Sequence, residues 1–154
     1  MLDDGEKGEL VFSSLCKEAF PIIRYRTKDL TKLMSGTARS MRRMEKITGR
    51  SDDMMIIRGV NIFPTQIEEQ LLKISDLSPH FQIRLMKDGR LDKMIVSAEH
   101  YESEDLPKEN TEKLVIDLKN HIKDNIGLNI EVIVSKKGSV PRSEGKAVRV
   151  IDER

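Results

Sequence analysis

The chain has 154 residues, enough for one ordinary domain or two small ones, and 34% of them are charged against 4% aromatic, with no Trp. The core must therefore rest on Ile, Leu, Val and Met, while 27 Lys plus Arg against 26 Asp plus Glu provides none of the basic field that nucleic-acid binding needs. The single Cys16 can form neither an internal disulfide nor a zinc site, no apolar run approaches a membrane span, and no secretory signal opens the chain; the sequence reads as a soluble, cytoplasmic protein without membrane or nucleic-acid partners.

Met1-Leu2-Asp3-Asp4 has no start-of-domain character, yet by Gly8 the chain is already in a strand-like run, GELVFSSL. Pro21 to Arg26, Asp29 to Met34 and Met41 to Ile47 are further short strands. These segments are too few to close a barrel, and a small sheet with nothing over it leaves apolar surface and open edges. Residues 1–50 thus read as the β-rich end of a larger domain. Their open edges predict a partner, either the lid or another copy of the chain, with strand pairing or apolar burial between chains expected through Leu10–Leu15 or Ile22–Leu33 and a homodimer as the result. Gly49 to Pro64 then changes the character of the chain. Two short apolar runs around Arg58-Gly59 predict a tight β-hairpin, and Pro64 suits the first turn of a helix. Ile67, Leu71 and Ile74 follow at helical spacing. Phe81–Met86 and Leu91–Ala98 flank an Asp-Gly turn and predict paired strands. Leu114, Leu118, His121 and Ile122 form one stripe of a helix over 111–125, and Gly127 stops it. Asn129–Ser135 is a third strand, and Ala147–Ile151 a last short one. The order predicts an α+β fold over 51–154: two packed helices on a small, mostly antiparallel sheet.

Taken singly, the polar residues carry little chemistry. GSVPRSEGK at Gly138–Lys146 lacks the GxxxxGK[ST] spacing of a phosphate-binding loop, and on spacing alone it is a solvated loop. Even so, a Lys on a glycine-bearing loop is suited to carry a movable charge to an anion. Asp29 alone is a turn residue, and Arg50 with Asp52 a surface pair. His80, His100 and His121 have no metal-ligand spacing and read as structural or solvent-facing. Cys16 reads as a small buried residue. Met34, Met41, Met44, Met54 and Met55 read as core filling.

Three segments together carry a resemblance. YRTKDL at Tyr25–Leu30, GRSDDMMIIRGVNIFPTQIEE at Gly49–Glu69 and VPRSEGKAVRV at Val140–Val150 resemble, in order and spacing, the last three motifs of adenylate-forming enzymes. Within that superfamily the wording IIRGVNIFPTQIEE and SVPRSEGKAVRV is similar to the phenylacetate–coenzyme A ligase family. The resemblance covers nearly the whole chain, but only the C-terminal third of such an enzyme. It implies that 1–50 are the tail of the large adenylation domain and 51–154 the mobile lid.

It also implies roles by position. Asp29 matches the acid that bonds the ATP ribose hydroxyls, and Arg50 an Arg that also contacts the nucleotide. Asp52 matches the hinge of the lid. The hairpin at Arg58 and Gly59 matches the segment brought beside the coenzyme A tunnel, and Lys146 the Lys that bridges acyl carboxylate and α-phosphate. The implied reaction joins an aryl acid such as phenylacetate to coenzyme A, with ATP converted to AMP and diphosphate. Mg²⁺ sites would lie mostly outside this chain, and the chain alone would be inactive. Two departures stand out. Lys28 occupies the usual Gly of YRTGDL, and Thr37–Ser40 replaces a loop that in relatives often contains cysteine, so no structural metal is implied there. Two other readings remain at this stage: a free-standing module that senses a small ligand, and a structural interaction domain.

Overall fold

The computed structural model describes residues 2–38, 40–142 and 148–154. The chain divides into two compact units, Met1–Met54 and Met55–Arg154.

The first unit is built on one long strand. β1 (Lys7–Phe12) pairs antiparallel with β2 (Tyr25–Met34), and the other edge of β2 receives β3 (Arg43–Met44) and β4 (Gly49–Arg50), both antiparallel. The two strands expected at 21–26 and 29–34 are replaced by this single strand, which begins only at Tyr25 and leaves Pro21–Arg24 outside it. It runs unbroken because a bulge opposite Glu9–Val11 absorbs the irregularity at Thr27–Asp29. Among the described residues of this unit no apolar side chain is buried. Leu15 is 96% exposed, and Phe20, Ile23 and Met41 are also open to solvent. Cys16 is exposed rather than buried, and of the methionines expected in a core only Met55 is buried, with Met41, Met44 and Met54 exposed. The reason is the same for all: the small sheet of this unit has no second layer to bury them.

The second unit holds the core. β5 (Met55–Ile57) and β6 (Val60–Ile62) form the expected hairpin; its turn residues Arg58 and Gly59 both have positive φ, 49° and 81°, the conformation of a tight hairpin turn matched to strand twist. α1 (Pro64–Leu72) starts on Pro64, and the Gln66 side chain accepts the Phe63 backbone N–H at 2.9 Å, satisfying a donor at the helix entry. Ile74 of the expected stripe lies past the helix end but packs on the core.

The main sheet runs β10-β7-β8-β9, with β7 (Leu77–Asp88), β8 (Leu91–His100), β9 (Glu131–Ser135) and β10 (Val150–Asp152). The α+β class holds, but this sheet is mixed rather than mostly antiparallel. The β7–β8 hairpin is antiparallel, while β8–β9 and β10–β7 are parallel. A parallel neighbour needs a long crossover, and α2 (Lys108–Ile126) supplies it between β8 and β9. α2 stops at Gly127, whose φ of 81° gives the left-handed cap.

Strand alternation fixes the faces. Cross-strand rows Phe81–Ala98–Val134 and Ile83–Val96–Val132 are buried and pack with Ile67 and Leu71 of α1 and Leu114, Leu118 and Ile122 of α2. Glu99, one residue on from Ala98, therefore falls on the face away from the helices. No helix among the described residues is long and apolar enough to cross a membrane.

Candidate functional site

The polar residues singled out from the first two motifs meet on the first unit. Asp29 on β2 stands directly opposite Arg50 on β4 in the strand register. Arg50 Nη1 lies 3.8 Å from Asp29 Oδ1, while its Nε and Nη2 donate to the two oxygens of Asp52 at 3.0 and 3.1 Å. The forked pairing fits the planar guanidinium. Lys28 Nζ donates to Asp52 Oδ2 at 3.0 Å, and Ser51 N donates to the Lys28 carbonyl at 2.7 Å. The Arg50 guanidinium, with Lys28 beside it, holds the Asp52 carboxyl far below the usual carboxylate range. These contacts tie Ser51–Asp53 to β2 within the first compact unit, Met1–Met54.

Lys28 is the residue whose role the sequence left open. Its φ is +66°, a conformation that favours glycine, so the bulge persists although a lysine occupies it. Glu9 helps hold it there: its carboxylate accepts the Lys28 backbone N–H at 3.1 Å and pairs with the Arg26 guanidinium. Thr27 closes the turn, its hydroxyl donating to the Leu10 carbonyl and accepting the Asp29 N–H, both at 3.1 Å.

Arg58 and Gly59 lie on the second unit, away from this cluster in sequence. Arg58 Nε donates to the Asp92 carbonyl at 3.0 Å, and Arg154 Nη1 donates to the Ile56 carbonyl at 3.0 Å, so the hairpin is pinned to β8 on one flank and to the chain just past β10 on the other. Arg154 also pairs with Asp152 at 2.7 Å and Asp92 at 3.0 Å; its hydrogen bonds push the Asp152 carboxyl down to about 2. A Cβ on Gly59 would meet nothing within 4 Å.

Lys146 lies outside the described residues, but both segments that lead to it are fixed. On one side, the wholly buried Glu99 accepts Val140 N at 2.5 Å and Arg142 Nη2 at 2.7 Å. On the other, the Arg149 guanidinium sits 4.7 Å above the Phe81 ring, with Nη1 2.7 Å from Glu68 Oε1. That contact is off the hydrogen-bond axis, and we read it as an ion pair. The sequence offered no signal for Glu99 beyond its place in strand alternation; Arg142 and Arg149 were visible as the arginines that flank Lys146. His80 is exposed, His121 half-buried and His100 buried, with no partner on its Nδ1. No group of three or more His, Cys, Asp or Glu among the described residues is arranged to hold a metal.

Residues 59–154 match the family model of the AMP-binding enzyme C-terminal domain. The phenylacetate-coenzyme A ligase of Escherichia coli (strain K12) is 53% identical over 154 residues, covering 99% of this chain and 35% of that protein. The enzyme of the same name from Pseudomonas putida is 55% identical over 155 residues, again covering 35% of its length. Among solved structures, a 2-hydroxyisobutyryl-CoA ligase in the postadenylation state with R3-HIB-AMP aligns over 99% of this chain and 33% of its own, with TM-score 0.86 at 28% identity. A domain of phenylacetate-coenzyme A ligase from Bacteroides vulgatus ATCC 8482 aligns over 67% of this chain and 94% of its own, with TM-score 0.61 at 36% identity. The chain spans about a third of the length of the curated relatives it matches.

Proposed function

The chain belongs to the AMP-binding enzyme C-terminal domain family and is homologous to the C-terminal part of phenylacetate-coenzyme A ligases, and we propose that it performs the corresponding part of an ATP-dependent ligation of an aryl acid, phenylacetate in the first instance, to coenzyme A. One observation carries this reading furthest: Asp29 and Arg50, from separate motifs, stand opposite one another on adjacent strands, with Asp52 on the same guanidinium. In this reading residues 1–50 are the end of a large adenylation domain. The lack of any buried apolar side chain among the described residues of the first unit supports that, since such a sheet needs cover from elsewhere. Residues 51–154 are the lid, and the parent enzyme is a cytoplasmic homodimer.

The chemistry divides into two steps. A carboxylate oxygen of the acid attacks the α-phosphorus of ATP, a P–O bond forms, and diphosphate leaves. The thiol sulfur of coenzyme A then attacks the acyl carbonyl, its proton is lost, and AMP leaves with the thioester formed. Asp29 accepts hydrogen bonds from the ribose hydroxyls. Arg50, whose Nε and Nη2 are engaged by Asp52, presents its remaining N–H groups to the nucleotide. The Lys146 ammonium neutralises the charge that gathers as the carboxylate meets the α-phosphate. Asp52 is the pivot about which the lid exchanges Lys146 for the Arg58-Gly59 hairpin between the steps. Mg²⁺ is expected of the parent enzyme. The carboxylates of Asp29, Asp52 and Asp53 do not fit it, because Arg50 and Lys28 already engage them.

The test is phenylacetate-dependent diphosphate release from ATP, assayed for the 154-residue chain and for the ligase of which it forms the C-terminal part. Release by the ligase and none by the chain alone is expected. Release by the chain alone would overturn the division of labour.

A further inference from the structure

Two cations share one carboxylate oxygen on the first unit. Arg50 Nη2 and Lys28 Nζ both donate to Asp52 Oδ2, at 3.1 and 3.0 Å. Arg50 is crowded by further acid: its Nε lies 3.0 Å from Asp52 Oδ1 and 3.7 Å from Asp53 Oδ2, and its Nη1 lies 3.8 Å from Asp29 Oδ1. Three carboxylates thus surround one guanidinium, and Lys28 is the second cation among them. Glu9, which accepts the Lys28 backbone N–H, is already engaged by the Arg26 guanidinium.

Local stability does not account for a lysine at this position. Its φ of +66° strains any side chain. Its ion pair with Asp52 is open to solvent, with 52% of one side chain and 34% of the other exposed, and a pair so exposed stabilises little. A glycine would keep the bulge without strain. Strain retained at one residue of a polar cluster points to a role for its side chain. Here the ammonium changes the charge that an incoming anion meets. With Lys28, three carboxylates stand against two cations; without it, they stand against one.

We propose that Lys28 is a positioning residue for nucleotide binding: by engaging Asp52 it leaves part of the Arg50 guanidinium uncompensated, so that Arg50 attracts the anionic nucleotide. The assignment rests on the reading of Arg50 as a nucleotide contact under Proposed function. In this role Lys28 touches no substrate. It acts through Asp52 and Arg50, so its loss is felt in nucleotide affinity and not in turnover once the nucleotide is bound.

The experiment is done in the full ligase, with AMP as the probe in equilibrium binding and ATP varied in the adenylation assay. Lys28→Met removes the charge. It should weaken AMP binding and raise KM for ATP about three- to fivefold, the scale of one exposed ion pair, with kcat for adenylate formation within about twofold of wild type. Lys28→Gly removes the charge and relieves the backbone; it should show the same loss, and it serves if Lys28→Met does not fold. Lys28→Arg restores the charge and should recover most of the affinity. The gap between Lys28→Met and wild type should close as salt rises from about 0.1 M to about 1 M, which a merely structural defect would not do. In an Asp52→Asn background, Lys28→Met should cost no further affinity, because the carboxylate it offsets is gone. Unchanged AMP affinity in both Lys28→Met and Lys28→Gly, a loss that Lys28→Arg shares, or a loss that persists undiminished at high salt or beside Asp52→Asn would overturn the proposal. Arg50→Met tells this failure from that of the reading beneath it. If Arg50→Met leaves AMP affinity intact, Arg50 is no nucleotide contact and both fall; if it weakens AMP binding while the Lys28 variants do not, only the role of Lys28 fails.

Discussion

Lys28 has the side chain of a lysine in the backbone conformation of a glycine, and it is ion-paired to Asp52. A side chain at this φ carries a penalty of roughly 1–2 kcal/mol, whereas glycine gives back roughly 0.5–1 kcal/mol of unfolded-chain entropy. Lys28→Gly is therefore expected to change unfolding free energy by less than about 1 kcal/mol. Lys28→Val, with a branched β-carbon at positive φ, should destabilise clearly; thermal melts of the two variants make the comparison. At the hairpin and the lysine loop, half-reactions are the measure. Lys146→Ala should lower adenylate formation by ~10²–10³-fold and leave thioester formation nearly unchanged. Gly59→Leu should do the reverse under the proposed mechanism, in which the coenzyme A arm passes beside this turn, since a side chain there meets no neighbour within 4 Å of its Cβ and projects into that space. If both variants damage the same step equally, the exchange of lid faces does not operate. At this scale the sequence was informative about proximity: Asp29, Arg50 and Asp52, drawn from two motifs, do converge. It was silent on the burial of Glu99, which comes with a segment some forty positions away folding over it and which no local pattern encodes.

At the scale of elements, the chain divides into two units that differ in kind, with the proposed hinge near their boundary. Asp52 lies just before the boundary at Met54 and is tethered to β2 through Arg50 and Lys28. Asp52→Pro in the ligase would fix φ near ~−65° and restrict rotation, so one half-reaction should survive and the other fall. Rates that both remain within about twofold of wild type would show that the pivot lies elsewhere. On α1, Ile67 is wholly buried against the sheet, and Ile67→Ala should destabilise the second unit by about 2–5 kcal/mol, seen as a lower denaturant midpoint. The helices, the Arg58-Gly59 turn and the β7–β8 hairpin were all legible, because periodicity and turn residues are local. The parallel pairings were not, because a strand's sequence does not say which distant strand it joins. The methionines of the first unit were misassigned for a related reason: hydrophobicity says that a residue prefers burial, not that a layer is present to bury it.

For the molecule as a whole, acid is the informative stress. Asp152 is pushed down to about 2, and Asp52 and Glu99 also lie below their ordinary values; for Glu99, burial raises the pKa but the Gly138, Val140 and Arg142 hydrogen bonds outweigh it. Folded values below unfolded ones mean that this stabilisation is complete above the ordinary carboxylate range and is lost as pH falls through the folded values. Urea midpoints should therefore decline between about pH 4.5 and about pH 2, and decline less in Glu99→Gln. The exposed Leu15, Phe20 and Ile23 make self-association of the isolated chain the expected behaviour in sedimentation, weakened by Ile23→Glu. The strand order has a further consequence, for the time at which the fold completes. β7 and β8 are joined by a two-residue turn and can zip together at once, within microseconds. β9 must wait for the whole of α2, and β10 meets β7 only after more than sixty intervening residues have been made. On the ribosome, then, the outer edge of β7 stays bare until β10 emerges, and that interval is when a stray strand from a neighbouring copy competes for it.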